Sequence, residues 1–285
     1  MDLHTVTAVH RPADRAELAG RMRPGAAPLA GGTWLFSEPQ WGLRTLVDLT
    51  GLGWPPLTVT ERGLEIAATC TLAELAAFAA PPRWPGAALF RACCAALAGS
   101  FKIWHTATVG GNICLGLPAG PMTSLAAALD GVAVLWPVDD SAAGAERRVP
   151  VAEFVLGNRR TALRPGEVLR AVELPAAALA ARTAFRRAAL ATQGRSGAVV
   201  IGRRDADGGC VLTVTAAVER PHRLAFPALP TAAELAAELG RIERGFDDPH
   251  GAPDWRRAVT GLLAEQVRAE LAGPAGAGSG TAVSA

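Results

Sequence analysis

The chain has 285 residues, of which half are hydrophobic and 19% are charged, so it can bury a core and is not a disordered chain. Its 28 basic and 26 acidic residues leave a formal charge of +2, which argues against a protein that binds nucleic acid. The sequence contains no tyrosine, which excludes any mechanism that uses a tyrosine as acid, base or radical. The length predicts about two domains of ~150 residues each.

Five cysteines are present, and none of them has the spacing of a zinc or iron–sulfur site. They lie at positions 70, 93, 94, 114 and 210, an odd number that favours buried free thiols in a reducing compartment over a disulfide framework. Residues 1–18 lack the apolar segment of a signal peptide, and no apolar run approaches the ~20 residues that span a bilayer. The sequence predicts a cytoplasmic protein without membrane contact and without a metal of its own.

Helix and strand patterns alternate along the first 175 residues. Asp14 is the predicted N-cap of a helix, and the pair Thr71 and Glu74 has the spacing of a capping box that opens another. The predicted elements, in chain order, are a helix over 14–22, a strand over 46–49, a hairpin over 57–69, a helix from 71 that ends before Pro81, helices over 87–98 and 122–129, a strand over 132–136, a polar loop over 139–146 and a strand over 168–174.

The pattern changes after a junction predicted over 176–182. Thr231 opens a helix with a second capping box, and Asp254 is the predicted cap of a last helix that runs to about Ala272. The low-complexity tail over 273–285 is expected to be disordered. Three further strands are predicted over 183–189, 197–203 and 210–218. The complete pattern predicts an α+β fold.

Adjacent glycines end an apolar run at two places, in residues 29–35 (LAGGTWL) and in residues 106–113 (TATVGGNI). Paired glycines let the backbone bend with its amide hydrogens on one side and with no Cβ to obstruct a bulky anion. Thr33, Thr108 and Asn112 would add side-chain donors, and such a lining suits a pyrophosphate. Each pair alone also fits an ordinary tight turn, so the spacing leaves both interpretations open. The sequence has neither a P-loop nor a Rossmann glycine motif.

Residues 29–35 and 106–131 (TATVGGNICLGLPAGPMTSLAAALDG) resemble the two flavin-binding segments of the FAD-binding medium subunit of molybdenum hydroxylases. This is the family of xanthine dehydrogenase and carbon monoxide dehydrogenase. Residues 157–175 and 183–187 resemble the next landmarks of that family, in the same order. The resemblance implies a two-part FAD-binding domain of the vanillyl-alcohol-oxidase (PCMH) type over 1–176, with a boundary between its parts near 55. A small C-terminal α+β domain over 177–272 is implied to follow.

The resemblance also implies a set of cofactor-binding residues, with no catalytic residue and no metal ligand among them. Cys114 would lie near the flavin ring, Leu169 near the adenine, and Arg186 would replace a lysine of the family. Thr33 stands where some flavoproteins of this fold carry a histidine that attaches FAD covalently, so non-covalent FAD is expected. The implied residues are Leu29, Ala30, Gly31, Gly32, Thr33, Trp34, Leu35, Thr108, Gly110, Gly111, Asn112, Ile113, Cys114, Leu169 and Arg186.

The chain departs from the family pattern at two places. Pro121 stands where many relatives have an aspartate that contacts the cofactor, and Trp104-His105 stands where Arg-Asn is common. The glycine pairs are unaffected by these changes. A valine at Gly31 or at Gly111 is therefore expected to remove FAD while it leaves the fold largely intact.

The resemblance implies an electron-transfer role, because FAD accepts electrons singly and releases them in pairs. The chain would take electrons from two [2Fe-2S] clusters on a small partner subunit and pass them to NAD⁺ or another acceptor. Molybdopterin and the organic substrate would be bound by a separate large subunit. Two alternatives stay open, namely a stand-alone FAD-dependent oxidoreductase and a flavin-free assembly or scaffold component.

Overall fold

The first part of the fold is a small parallel sheet. The computed structural model describes residues 3–138, 145–242 and 245–273, so most of the predicted loop over 139–146 and nearly all of the predicted tail over 273–285 lie outside the described residues. Three strands, β1 (Ala8–His10), β2 (Ala26–Leu29) and β3 (Thr45–Asp48), pair in the order β1-β3-β2. Helix α1 (Arg15–Arg21) joins β1 to β2 and begins at Asp14, whose carboxylate accepts from the Glu17 amide, as predicted.

The second part contains a five-stranded antiparallel sheet and a separate hairpin. Its sheet has the order β4-β5-β10-β6-β7, while β8 pairs with β9. The predicted hairpin over 57–69 is confirmed as β4 and β5. The strands are β4 (Leu57–Thr60), β5 (Gly63–Ala67), β6 (Val132–Pro137), β7 (Arg147–Pro150), β8 (Val155–Gly157), β9 (Arg160–Thr161) and β10 (Glu167–Pro175).

In the described part of the chain, seven α-helices accompany this sheet. The capping box at Thr71 and Glu74 is present, because each side chain bonds to the backbone of the other residue. All eight residues of the sixth helix are buried, which makes it the centre of the core. The helices are α2 (Leu72–Ala76), α3 (Ala88–Ala95), α4 (Phe101–Trp104), α5 (Val109–Leu115), α6 (Pro121–Ala128), α7 (Val151–Phe154) and α8 (Ala176–Ala180).

The C-terminal part is a four-stranded antiparallel sheet covered by two helices. Three of its strands confirm the predicted strands over 183–189, 197–203 and 210–218. The fourth strand, over 222–226, was not predicted from the sequence. The last helix begins at Pro253 after the N-cap Ala252, so the prediction that Asp254 caps it is wrong by two residues. The elements are β11 (Arg182–Ala188), β12 (Ala198–Arg204), β13 (Cys210–Thr215), β14 (His222–Phe226), α9 (Ala232–Gly240) and α10 (Pro253–Ala272).

Helix α6 fixes the C-terminal sheet to the rest of the molecule. The Ser124 hydroxyl lies 2.6 Å from the Thr215 hydroxyl in the core, and the Ala216 amide donates to the carbonyl of Pro118. Arg203 is buried, donates to the carbonyl of Ala128 at the end of α6 and forms an ion pair with Asp130 (2.6 Å). A buried guanidinium needs such partners, since an unpaired buried charge is strongly unfavourable.

The fold is a mixture of α and β elements, as predicted. Within the described part of the chain, no helix combines the length and the apolarity needed to cross a membrane.

Candidate functional site

Both glycine segments line a single cavity of about 730 Å³. Its walls come from three parts of the chain, namely residues between 28 and 49, residues between 68 and 169, and two residues of the C-terminal part. A cavity of this size lies within the range of small-molecule and cofactor sites. Segments far apart in the sequence therefore meet at one place that could hold an extended ligand.

The first glycine segment, residues 29–35, needs glycine at both positions for packing and backbone reasons. A Cβ on Gly31 would lie 1.6 Å from the carbonyl oxygen of Thr106, which the segment touches directly. Gly32 has φ +69°, in the left-handed region that favours glycine. The structure therefore changes the expectation for a valine at Gly31, because that substitution would disturb the fold as well as the cavity.

The backbone amides from Gly31 to Leu35 have no acceptor among the described residues. Residues 33–37 form a helical turn, in which Phe36 N donates to Gly32 O and Ser37 N donates to Trp34 O, both at 2.9 Å. No described residue accepts a hydrogen bond from the amides of Gly31, Gly32, Thr33, Trp34 or Leu35. The amides at the start of a helical turn generally point the same way, so we expect this turn to suit an anion.

The second glycine segment, residues 106–113, differs from its predicted geometry. Gly110 and Gly111 lie in the first turn of α5 rather than in a bend. The Gly110 amide donates to Ala68 O (3.0 Å), the Val109 amide to Cys70 O (2.8 Å), and the Gly111 amide to the hydroxyl of the N-cap Thr108 (3.0 Å). These donors are already used within the protein, so the prediction that they face a ligand is wrong.

What the second segment offers the cavity is space and one side-chain donor. A Cβ on Gly110 would lie 2.5 Å from the Cβ of Ala68, so this glycine allows α5 to pack closely on the end of β5. A Cβ on Gly111 would meet only the Thr108 hydroxyl, at 2.9 Å. Asn112 accepts from the Met122 amide through Oδ1 (3.0 Å), which leaves its NH₂ group as a donor beside the cavity.

Cys114 and Leu169 also line the cavity, from α5 and from β10. Burial raises the pKa of the Cys114 thiol to about 12, so this thiol is protonated near neutral pH and is a poor nucleophile. All five cysteines are free, and the other four are buried. Among the residues that the structure describes, no three His, Cys, Asp or Glu side chains are grouped so that they could hold a metal.

Two predicted site residues lie away from the cavity. Ile113 has no exposed surface, belongs to the hydrophobic core and does not line the cavity. Arg186 lies on β11 and forms an ion pair with Glu270 of α10 (2.7 Å), so its charge is used inside the C-terminal part. The structure brings all the other predicted site residues to the cavity.

Arg159, Arg195 and His250 line the cavity although the sequence gives no indication of them. Arg159 is in the turn between β8 and β9, while Arg195 and His250 are in loops of the C-terminal part. No aspartate or glutamate is among the described residues that line the cavity, so its charged walls favour an anionic ligand.

A second cavity, of about 430 Å³, lies in the C-terminal part between β13, α9 and α10. Its walls are mostly aliphatic and include Val214, Leu235 and Leu239. Neither glycine segment reaches it. The residues that the family resemblance implies for the cofactor therefore belong to the larger cavity.

Similarity to a known family identifies the class of protein. A family model described as FAD binding domain in molybdopterin dehydrogenase matches residues 5–177, more than half of the chain. The chain therefore belongs to this family of FAD-binding domains, which confirms the resemblance of its two glycine segments.

Individual relatives match the chain either over a short stretch or at low sequence identity. Xanthine dehydrogenase of Dictyostelium discoideum is 30% identical over 74 residues, which make up 26% of this chain and only 5% of that protein. Quinoline 2-oxidoreductase from Pseudomonas putida 86 has a similar structure, with a TM-score of 0.77, 19% identity, and coverage of 95% of this chain and 98% of that chain. For reconstituted CO dehydrogenase from Oligotropha carboxidovorans the TM-score is 0.79 at 20% identity, with coverage of 94% and 99%. At these identities the two structures show a shared fold.

Proposed function

We propose that this chain is the FAD-binding electron-transfer subunit of a molybdenum hydroxylase complex of the xanthine dehydrogenase type. In this proposal it takes electrons from [2Fe-2S] clusters on a small partner subunit and passes them through non-covalent FAD to NAD⁺ or another acceptor. A large partner subunit carries the molybdopterin. The fold of residues 1–176 is then the two-part PCMH type, followed by the C-terminal domain over 177–272.

The observation that carries the proposal is the row of unpaired amides from Gly31 to Leu35 at the cavity. A buried or half-buried amide without an acceptor is unfavourable, so a ligand with several anionic oxygens is the expected partner. The diphosphate of FAD has this chemistry. The open space in front of Gly111 lets the ligand approach α5, since no Cβ occupies it.

Each group of residues would make a distinct contribution. The amides of the first segment would bind the diphosphate, and the Asn112 NH₂ group would donate from the other side. Val168 and Leu169 would pack on an aromatic ring, and Cys114 would present a neutral sulfur to the cofactor. Thr33 has no nucleophilic side chain comparable to histidine, which supports non-covalent binding. When bound, FAD supplies one- and two-electron transfer, and the protein supplies orientation and electrostatics.

Flavin content is the direct test of the proposal. The purified chain should show flavin absorption or, as apoprotein, take up one equivalent of FAD, measured by the change in flavin fluorescence. Because the predicted contacts are to a diphosphate, FAD should bind more tightly than FMN, and riboflavin should bind most weakly. A colourless protein that takes up no FAD, or one that binds riboflavin as tightly as FAD, would contradict the proposal.

Partner subunits distinguish this function from a stand-alone oxidoreductase. The proposal predicts that an iron–sulfur chain and a molybdopterin chain co-purify with this protein from its source. It also predicts that the isolated FAD-loaded chain turns over no organic substrate by itself. Substrate oxidation by the isolated chain would instead support the stand-alone function, and tight FAD binding would exclude the flavin-free scaffold.

A further inference from the structure

Arg256, near the start of α10, is a buried arginine that bonds to three separate segments of the C-terminal part. Its side chain is 1% exposed and is the largest of the fully buried side chains in the described part of the chain. Its guanidinium donates to the carbonyls of Gly251 (2.7 Å), Gly197 (2.7 Å) and Ala216 (2.6 Å), and it forms an ion pair with Asp248. A guanidinium offers five N–H donors in a rigid plane, so one side chain can join acceptors on different segments.

Two of these segments carry Arg195 and His250, the two residues of the C-terminal part that line the larger cavity. Gly197 follows Arg195 by two residues, and the loop of His250 is closed by bonds from the His250 amide to the Asp248 carboxylate (2.8 Å) and from the Gly251 amide to the Asp248 carbonyl (3.1 Å). The segments also touch, since a Cβ on Gly197 would lie 2.9 Å from the carbonyl oxygen of His250. The positions of both cavity residues therefore depend on one guanidinium.

The third segment joins this guanidinium to the opposite wall of the cavity. The carbonyl of Ala216 accepts from Arg256, and its amide donates to the carbonyl of Pro118 (2.8 Å). Leu117 and Ala119, on either side of Pro118, line the cavity. Arg256 thus connects the loops of the C-terminal part to the wall that follows α5.

Arg195 and His250 are available to a ligand. Arg195 is exposed and His250 is half-buried, and neither side chain has a hydrogen-bond or ion-pair partner among the described residues. Arg159, the other cation at the cavity, is already paired with Glu38 (3.0 Å). A long side chain on a loose loop loses much conformational freedom when it binds a ligand, so a loop that is fixed beforehand binds at a lower entropic cost.

We infer that Arg256 is a positioning residue of the cavity, which holds in place the two loops that present Arg195 and His250 to an anionic occupant. The inference rests on the proposed function for the identity of that occupant, FAD. Arg256 does not line the cavity, so it acts only through the two loops. Its expected contribution is to fix the positive side of the cavity before the ligand arrives.

Hydrogen exchange of the apoprotein tests whether Arg256 holds the loops. Arg256→Lys keeps a positive charge beside Asp248, but a single ammonium group on a flexible stem cannot bond to all the acceptors at once. The amides of Gly197 and Gly251 should therefore exchange about tenfold faster than in the parent. Arg203→Lys is the matched control, because Arg203 is a buried arginine of the same sheet that bonds to the end of α6 and not to these loops. It should leave both amides as protected as in the parent.

FAD affinity tests whether the effect passes through Arg195 and His250. In Arg256→Lys the Kd for FAD should rise about tenfold, whereas in Arg203→Lys it should stay within about twofold of the parent's. In a protein that already carries Arg195→Ala and His250→Ala, adding Arg256→Lys should change the Kd by less than about twofold, because the groups it positions are gone. A residue with a merely structural role would weaken FAD binding by the same factor in both backgrounds.

Asp248→Asn is a second variant, for the case in which Arg256→Lys does not fold. An asparagine keeps an oxygen that can accept from Arg256 and from the His250 amide, but it removes the charge of the ion pair. The Kd for FAD should rise about threefold, and this rise should also disappear when Arg195 and His250 are replaced by alanine.

The outcomes separate this inference from the function on which it rests. If the parent binds FAD but the loop amides of the folded variants exchange as in the parent, or if their loss of affinity persists without Arg195 and His250, the inference is wrong and the FAD site stands. Equal loss of affinity in Arg256→Lys and Arg203→Lys would also refute it, since the effect would then follow stability alone. If the parent takes up no FAD, the proposed function fails, and the inference fails with it.

Discussion

The two glycine segments meet at one cavity but contribute to it in opposite ways. The first segment leaves the amides from Gly31 to Leu35 without acceptors among the described residues. The second segment uses the amides of Val109, Gly110 and Gly111 to join α5 to the end of β5 and to its own cap. The first therefore provides donors, whereas the second provides space for the ligand. Similar residue pairs in a sequence can thus have different physical functions.

The largest effect should come from the first segment. In Gly31→Ala the new Cβ would lie 1.6 Å from the backbone oxygen of Thr106. Neither glycine segment can move away without breaking the contact between the two. We expect a loss of about 3 kcal/mol or more in the free energy of unfolding, together with loss of FAD. Urea unfolding of the apoprotein and flavin absorption measure the two effects.

Gly42→Ala is the matched control for that substitution. It lies in the same part of the chain, and a Cβ there would meet no atom within 4 Å. Its unfolding free energy should stay within about 0.5 kcal/mol of the parent's. A Gly31→Ala protein as stable as this control would show that the two segments do not touch as the structure indicates.

The second segment should respond differently. In Gly111→Val the side chain enters the cavity and needs only a small shift of the Thr108 hydroxyl. The Kd for FAD should rise about 100-fold, which corresponds to ~2.7 kcal/mol, while the free energy of unfolding of the apoprotein changes by less than about 1 kcal/mol. Fluorescence titration and urea unfolding of the same preparation provide both values.

Gly20→Val is the control, because Gly20, like Gly111, is a glycine within a helix. A Cβ on Gly20 would meet no atom within 4 Å, and the residue lies in α1 away from the cavity. This variant should bind FAD like the parent. Equal FAD affinity in Gly111→Val and Gly20→Val would mean that the ligand does not approach α5, and the comparison of the two segments would collapse.

Thr108→Ala should have a moderate effect that is mostly on stability. The Thr108 hydroxyl accepts from the Gly111 amide and caps α5, so its loss should cost ~1 kcal/mol in the free energy of unfolding. The Kd for FAD should change by less than about threefold, because the lost bond is internal to the protein. Thr108→Ser keeps the cap and should match the parent in both measurements. A 100-fold weaker FAD affinity at unchanged stability would instead place Thr108 in direct contact with the cofactor.

Local elements could be predicted from the sequence because their signals are local. The capping boxes at Thr71 and Thr231 and the hairpin of β4 and β5 depend on residues within a few positions of each other, and each is present as predicted. The sequence did not predict β14, because HRLAF contains no β-branched residue and the strand pairs only with β13 at the edge of the sheet. The prediction that Asp254 caps the last helix was wrong because Pro253 already occupies the first position of that helix.

The cavity itself depends on contacts that the sequence does not encode locally. Arg195 and His250 reach it only because the C-terminal sheet packs against α6. The helical start at Gly110 depends on close packing with Ala68, so a glycine pair that suggests a bend became a helix. Arg186 was assigned by resemblance alone, and its ion pair with Glu270 depends on the position of α10. The two glycine pairs look alike in the sequence, so the sequence could not predict which segment keeps its amides free.

The smallest effect on FAD binding is expected from Cys114→Ala. The thiol is neutral near pH 7, because burial raises its pKa to about 12, so the variant should bind FAD with a Kd within about twofold of the parent's. In the unfolded chain this thiol ionises near its ordinary pKa of 9.0, so its contribution to stability is complete below that pH and declines as the pH rises toward 12. Between about pH 9 and about pH 11 the parent should therefore lose up to ~1.4 kcal/mol per pH unit more than the variant in urea unfolding. Cys70 and Cys94, whose pKa values are raised to about 12 by the same cause, are present in both proteins and cancel from the comparison. Equal slopes would mean that Cys114 is exposed enough to ionise in the folded protein, and the second segment would then carry a reactive group at the cavity.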